Sequence, residues 1–331
     1  MRLIVALLFF LGFLLPGKAQ VRWTLVDSLY QPLPKGVHIY RTEDPVDGKP
    51  NRAFYVSATL KERSLLFLAD TTFNRRLTPA AFYDKNQQPL LVVNTSFFSF
   101  TTHQNLNLVI NDGKTLAYHV HSIAGKGSDT LTWRHPMGSA IGIYKDRTAD
   151  VSWQFTDSAK RFPVALQRSI RPFRDSVPSH TEGSFFAAAI AHQDQARLPL
   201  APLPWKVQTA VGGGPVLLQD GQISIANNDE LKFAGKAIND KHPRTAMGYT
   251  ADGQLIVLAV EGRFPGKAEG LSLTQTALLM QQIGCVEALN LDGGGSSCML
   301  VNGKETIRPS DKEGQRAVPG VFIIKSLRRS N

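Results

Sequence analysis

The sequence predicts an α+β fold: a single mixed domain, strand-dominated, with several hairpins and a few packed helices. Three observations lead there. Short runs rich in Val, Ile, Phe and Tyr recur along most of the chain, several of them joined by Asn-Asp-Gly, Asp-Gly or Lys-Asp-Arg turns. Two segments carry helix-start chemistry ahead of an apolar pattern. No sequence repeats at a fixed period, so a solenoid or propeller is not indicated.

In chain order, residues 20–50 are rich in Pro and turn formers, with a short strand in "VHIY". "RAFYVSATL" and "SLLFLA" read as strands from their β-branched and aromatic content. "TPAAFYDKN" reads as a helix, with Thr78 as cap and Pro79 in the first turn. "PLLVVNTSFF" is a buried strand ending in a polar-aromatic loop at Asn94–Phe98. "LNLVINDGK" and "AIGIYKDRTADVSWQF" read as hairpins. From about 157 to 204 the pattern fades into Arg, Ser and Pro, ending in "PLAPLP", and reads as an insertion or crossing segment. "PVLLQDGQIS" and "AMGYTADGQLIVLAVEG" restore strand–turn–strand patterning. "SLTQTALLMQQIG" is the clearest helix, capped by Ser272 and stopped at Gly284. "VEALNLD", "SCMLVNG" and "AVPGVFIIKS" are strands.

The first 19 residues read as an export signal: Arg2, an apolar run Leu3–Leu15, and a small-residue cleavage site before Gln20. That run is short for a membrane span, and no other long apolar run follows, so no stable span is expected after cleavage. The expected organisation is therefore 1–19 signal peptide, 20–52 N-terminal extension, and 53–331 principal domain. The expected location is periplasmic or secreted. The 331 residues carry a formal charge of +10, about +8 once Arg2 and Lys18 are removed, with 43% apolar and 19% charged residues. A basic balance suits an anionic partner. Export and the lack of a dense basic run with interleaved aromatics argue against nucleic acid. The two cysteines, Cys285 and Cys298, lie before two successive strands. If those strands paired about the glycines between them, the thiols would not sit opposite each other, which favours free, buried thiols over a disulfide.

Three places share a design in which a strand ends in a glycine-rich or polar turn: Asn94-Thr95-Ser96-Phe97-Phe98, Gly212-Gly213-Gly214-Pro215 and Asp292-Gly293-Gly294-Gly295-Ser296. Glycine lets backbone N–H groups converge on an anion without Cβ obstruction. A lone glycine run is more often only a tight turn, and no Gly-Lys-Ser/Thr follows either run, so neither is a phosphate-binding P-loop. "KHPRTAMGYT" adds Arg244, suited to a bidentate phosphate contact, and Thr245. "AVEGRFPG" adds Glu261 and Arg263, a carboxylate–guanidinium pair that is either structural or catalytic. His119 and His121 share a face if "HVH" is a strand, but two histidines without a third ligand do not make a zinc site, and no metal or cofactor is expected.

Together, "NTSFF", "GGGPVLLQDG", "HPRTAMGYTADGQLIVLAVEGR", "GLSLTQTALLMQQIGCVEALNLDGGGSSCMLVNG" and "RAVPGVFII" resemble the phosphodiester glycosidase family, in that order and over most of residues 53–325. Two departures stand out: the family often has glycine where Thr95 follows the asparagine, and 157–204 has no obvious counterpart. The resemblance implies hydrolysis of a sugar-1-phosphodiester of the GlcNAc-α-1-phosphodiester type at the anomeric carbon, with a phosphate-bearing glycan or wall polymer as substrate. For that chemistry Asp292 is the first candidate carboxylate and Glu261 the second. Arg244, Thr245, Arg263, Asn94, Ser296 and the turns at Gly213–Gly214 and Gly294–Gly295 are candidates for holding phosphate or sugar. Two alternatives stay open: a non-catalytic envelope protein that binds anionic glycan, and a phosphodiesterase that cuts P–O.

Overall fold

The computed structural model describes residues 20–178, 181–198 and 200–327. The export-signal expectation falls on residues outside that set. Among the described residues, strands form sheets of eight, seven, five and three members, and every strand pairing is antiparallel. The eight-stranded sheet centres on Ala53–Thr59, Gln254–Val260, Arg244–Thr250 and Cys285–Asn290. The segment 20–52 is joined to it, because Val37–Thr42 pairs with Ala53–Thr59 over six residues. The seven-stranded sheet centres on Gly138–Ile143, Ala149–Phe155 and Thr209–Gly213. The five-stranded sheet contains Leu65–Thr71, Gly320–Ser326, Leu91–Asn94 and Met299–Val301.

These three sheets surround one apolar cluster. Val56 and Val257 enter it from the first, Ile141 and Phe155 from the second, and Phe67, Val93 and Phe322 from the third. Alternation along each strand sends the next residue to the opposite face. There Leu273–Ile283 covers the eight-stranded sheet through Leu273, Ala277 and Met280 against Ala246, Ile256 and Leu258. Its start is fixed by a capping box between Ser272 and Gln275, and its end by Gly284 at φ 101°. Pro79–Lys85, capped by Thr78 Oγ1 on Ala81 N–H, covers the five-stranded sheet through Phe82. No helix among the described residues is long and apolar enough to cross a membrane.

Two expectations need correcting, the hairpin about the Asp292 glycines and the strand through His119 and His121. The strands on either side of the Asp292 glycines do not pair with each other: Cys285–Asn290 belongs to the eight-stranded sheet and Met299–Val301 to the five-stranded one. The turn is therefore a crossing between sheets. Cys285 and Cys298 are free and buried, and burial pushes the Cys285 thiol up to about 12. Within 157–204, Glu182–His192 is a helix whose Phe185 and Phe186 join the central cluster beside Phe155. His119 and His121 lie past the end of the Lys114–Ala117 strand. Both are buried, and burial lowers their pKa values and keeps them neutral. No group of three or more His, Cys, Asp or Glu among the described residues is arranged to hold a metal ion.

Candidate active site

The candidate site forms where the chain passes from sheet to sheet. Thr209–Gly213 leaves the seven-stranded sheet and re-enters the eight-stranded one at Val216 through Gly214-Pro215. Asn290 receives that crossing: its carbonyl accepts Gly214 N–H at 2.7 Å and its Nδ2 donates to Gly214 O at 2.8 Å. The chain then reaches Asp292 and crosses again. Asp292 N–H donates to Thr95 O at 2.7 Å, and Asn94 Nδ2 donates to Asp292 O at 2.6 Å. Asn94 Oδ1 accepts from Thr245 Oγ1 at 2.9 Å and from Cys298 N–H at 3.1 Å. Four of the five motifs singled out in the sequence thus meet in one place.

This wiring separates the candidates by what they touch. Asn94 and Thr245 are fully buried, with their polar atoms spent on holding the Asp292 segment, so they position it from behind. Arg244 is buried too. Its Nε and Nη2 donate to the carbonyls of Leu271 and Asp240, each at 2.8 Å, and burial lowers its pKa to about 10, with the neighbouring Arg263 charge adding to the fall. It stays protonated at neutral pH. Glu261 is not joined to Asp292 by any direct contact. Its two oxygens accept from Arg308 N–H at 2.9 Å and Arg52 Nη1 at 3.4 Å, beside a groove shared with Arg41, Glu43 and Glu305.

The glycines explain what surrounds Asp292. An ideal Cβ at Gly294, which sits at φ 61°, would fall 2.8 Å from Arg263 Nη2. One at Gly295 would fall 2.1 Å from Arg316 Nη2 and 2.2 Å from Asp311 Oδ1. The missing side chains therefore admit two guanidiniums onto the turn. Arg263 is exposed, and Arg316 is held by a bidentate pair with Asp311 at 2.7 and 3.0 Å. Arg316 was missed by sequence reasoning. The signal for it, an arginine just before the last strand, has no meaning until the fold brings it to Gly295.

Lys232 was missed for the same reason. Its stem packs against Gly214, where an ideal Cβ would meet Lys232 Cε at 2.4 Å, and its ammonium lies 5.6 Å from the centre of the Phe97 ring. Phe97 meets Phe233 edge-on at 6.1 Å, and Arg244 lies 5.9 Å over Phe233, so these four form one chain of contacts. Lys232 stands near Glu230, whose carboxylate accepts Ser139 Oγ, Trp153 Nε1 and Val216 N–H. Burial lowers the Lys232 pKa and raises that of Glu230, and their mutual attraction opposes both shifts.

Asp292 itself is half-buried. Loss of water around its carboxyl pushes the pKa up to about 7, against the lowering effects of the Ser296 hydroxyl, the Arg316 charge and Gly293 N–H. Ser296 Oγ lies close to that carboxyl yet makes no well-aligned hydrogen bond. Asn290 Oδ1 and His242 Nδ1 are likewise buried without a partner. Buried polar atoms seldom go unpaired, so the Ser296 hydroxyl beside this carboxyl is available to a polar ligand. A carboxyl with a pKa near 7 can take or give a proton at neutral pH, and the cations flanking it suit an anion.

Comparison with known proteins bears on the family and the fold. N-acetylglucosamine-1-phosphodiester alpha-N-acetylglucosaminidase of Mus musculus is 32% identical over 114 residues, 34% of this chain and 22% of the mouse protein. The matches to the mouse, Bos taurus and Homo sapiens enzymes each span about a fifth of those proteins' length. Among solved structures, a Synechocystis protein of unassigned function superposes with a TM-score of 0.57 at 15% identity, over 94% of this chain and 68% of that one. The zebrafish catalytic domain of the same glucosaminidase, auto-inhibited by its pro-peptide, superposes with a TM-score of 0.52 at 20% identity, over 94% of this chain and 89% of that one. The family model for phosphodiester glycosidases, which are hydrolases, matches residues 87–325, and with that match over most of its length the chain belongs to the phosphodiester glycosidase family.

Proposed function

We propose that the protein is an exported glycosidase, periplasmic or secreted, that hydrolyses a sugar-1-phosphodiester of the GlcNAc-α-1-phosphodiester type at the anomeric carbon. The products are free sugar and a phosphomonoester. The observation that carries this reading is one half-buried carboxyl with a pKa near 7, Asp292, followed by a glycine turn that Arg244, Arg263 and Arg316 approach at Gly293, Gly294 and Gly295. Membership of the family supports it.

The chemistry fits these residues. A phosphomonoester has a second pKa of about 6, so it leaves with the electron pair of the C1–O bond without a strong general acid. What the reaction needs is a bound phosphate, a stabilised oxocarbenium-like centre and an activated water. Arg263 and Arg316, brought onto Gly294 and Gly295, hold the phosphate. The sugar lies toward Phe97 and Lys232. Ionised Asp292 faces the anomeric carbon and accepts the proton of the attacking water as the C1–O bond to that water forms. With both its oxygens engaged elsewhere, Glu261 maintains the Arg52 and Arg308 segments and takes no part in the step.

The test is incubation of the purified protein with a GlcNAc-α-1-phosphodiester and identification of both products. Free GlcNAc is expected, with release reduced about a thousandfold or more in a folded Asp292→Asn variant. GlcNAc-1-phosphate as product would instead assign P–O cleavage. Binding without turnover, unchanged in the variant, would assign a binding protein.

A further inference from the structure

Against Arg316 lies a feature that the reaction at the anomeric carbon does not use. Residues Phe98–Asn105 form a closed loop. Phe98 bridges Asn105, Ser99 N–H donates to Gln104 O at 3.0 Å, and His103 N–H donates to Ser99 O at 2.8 Å. Phe100 sits at its tip and is 64% exposed. A single exposed phenylalanine is ordinary. This one is held from three sides. Phe98 meets it at 4.8 Å between ring centres, Arg316 lies 5.5 Å from its centre, and Arg76 lies 5.7 Å away. Arg76 also lies 5.1 Å over Phe98 and reaches His103 Nε2 at 3.5 Å. The ring is thus fixed in place with much of its surface open, and it shares Arg316 with the turn beside Asp292.

We propose that Phe100, with Arg76 and Arg316, forms a leaving-group subsite that takes a ring-bearing phosphate, the flat face of the ring stacking on Phe100. This rests on the reading of the site given above: with the scissile phosphate over Gly294–Gly295, the group on its far side falls against Arg316 and Phe100. The shared chemistry is a flat-faced ring, a sugar or a nucleoside, carrying a phosphate. The two adjacent guanidiniums strengthen the platform, because they hold the ring by cation–π contact while offering charge to the phosphate and to any further anionic group.

Binding of phosphomonoester products tests this independently of turnover. Calorimetry on the whole protein would compare methyl phosphate, glucose 6-phosphate and uridine monophosphate. A ring-bearing phosphate is expected to bind about tenfold or more tighter than methyl phosphate, and Phe100→Ala is expected to erase most of that ratio. Phe100→Leu, which keeps apolar bulk but loses the flat face, should lose it too. The arm that shows the loss identifies sugar or nucleoside as the occupant. Equal binding of all three by the wild type, or a preference that survives in Phe100→Ala, would overturn the subsite. Lack of turnover on GlcNAc-α-1-phosphodiesters with the binding preference intact would instead overturn the catalytic reading alone.

Discussion

The proton on Asp292 is set by burial working against Ser296, Arg316 and Gly293, and burial wins, leaving the pKa near 7. The ionised form is the one the proposed step uses, so kcat/KM on a GlcNAc-α-1-phosphodiester should rise with pH through about 7. A profile already flat from pH 5 to 8 would remove Asp292 from the rate-determining ionisation. The same shift acts on stability with a definite sign. The folded pKa lies above that of an unfolded aspartate, about 3.9. The native state therefore binds the proton more tightly, and this contribution is fully present below pH ~4 and lost as pH rises through about 7. Asp292→Asn, which cannot ionise, should unfold at a higher temperature than the wild type at pH 8 and lose that advantage at pH 4. At this scale the sequence was informative about residue type and silent about use. "LNLD" marked the acid and "NTSFF" and "HPRTA" offered Asn94 and Thr245 as ligands, but only the fold shows that their side chains hydrogen-bond each other and the Asp292 segment.

Elements position the site by where they stop. Two glycine turns carry the chain between sheets, and their glycines are required for different reasons. At Gly213 an added Cβ would fall 2.4 Å from Asn290 O and 3.2 Å from Leu291 Cα, so it meets backbone that cannot swing aside. At Gly295 it would meet the ends of Arg316 and Asp311, which can. Gly213→Ala should therefore cost about 2–4 kcal/mol of folding stability by overpacking and backbone shift. Gly295→Ala should cost less stability but lose phosphodiester hydrolysis, with Arg316 pushed off the turn. Thermal denaturation and initial rates on both variants separate the two effects, and equal stability losses would show that the Arg316–Asp311 pair is as rigid as the backbone. Hairpins such as Gly138–Ile143 with Ala149–Phe155 were legible because turn chemistry and alternation are both local. The segments around Asp292 looked like another hairpin for the same local reasons. Their true partners, Arg244–Thr250 and Leu91–Asn94, are far away in sequence, and nothing in the turn itself encodes them.

On the scale of the whole molecule, three sheets share one core and their crossings converge, so the site is built from residues spread over more than 200 positions, from Asn94 to Arg316. That convergence brings together cations that are scattered in sequence, and it gives the formal charge of +10 a local meaning. Charge on exposed Arg263 acts through water and is screened within about 10 Å at 0.1 M salt, whereas buried Arg244 is screened much less. On the proposed function, the anionic substrate is drawn toward the site partly by a field that salt weakens. We expect kcat/KM for a phosphodiester to fall severalfold between 0.05 and 0.5 M NaCl. A neutral aryl α-GlcNAc glycoside, however slowly it turns over, should show no such fall. Arg263→Ala should lower the low-salt rate and flatten the salt dependence together, because the exposed charge is the one that salt can reach. If Arg263→Ala lowered the rate by the same factor at every salt concentration, Arg263 would be acting through its contact with the bound phosphate alone, and the long-range contribution would have to come from the rest of the basic surface.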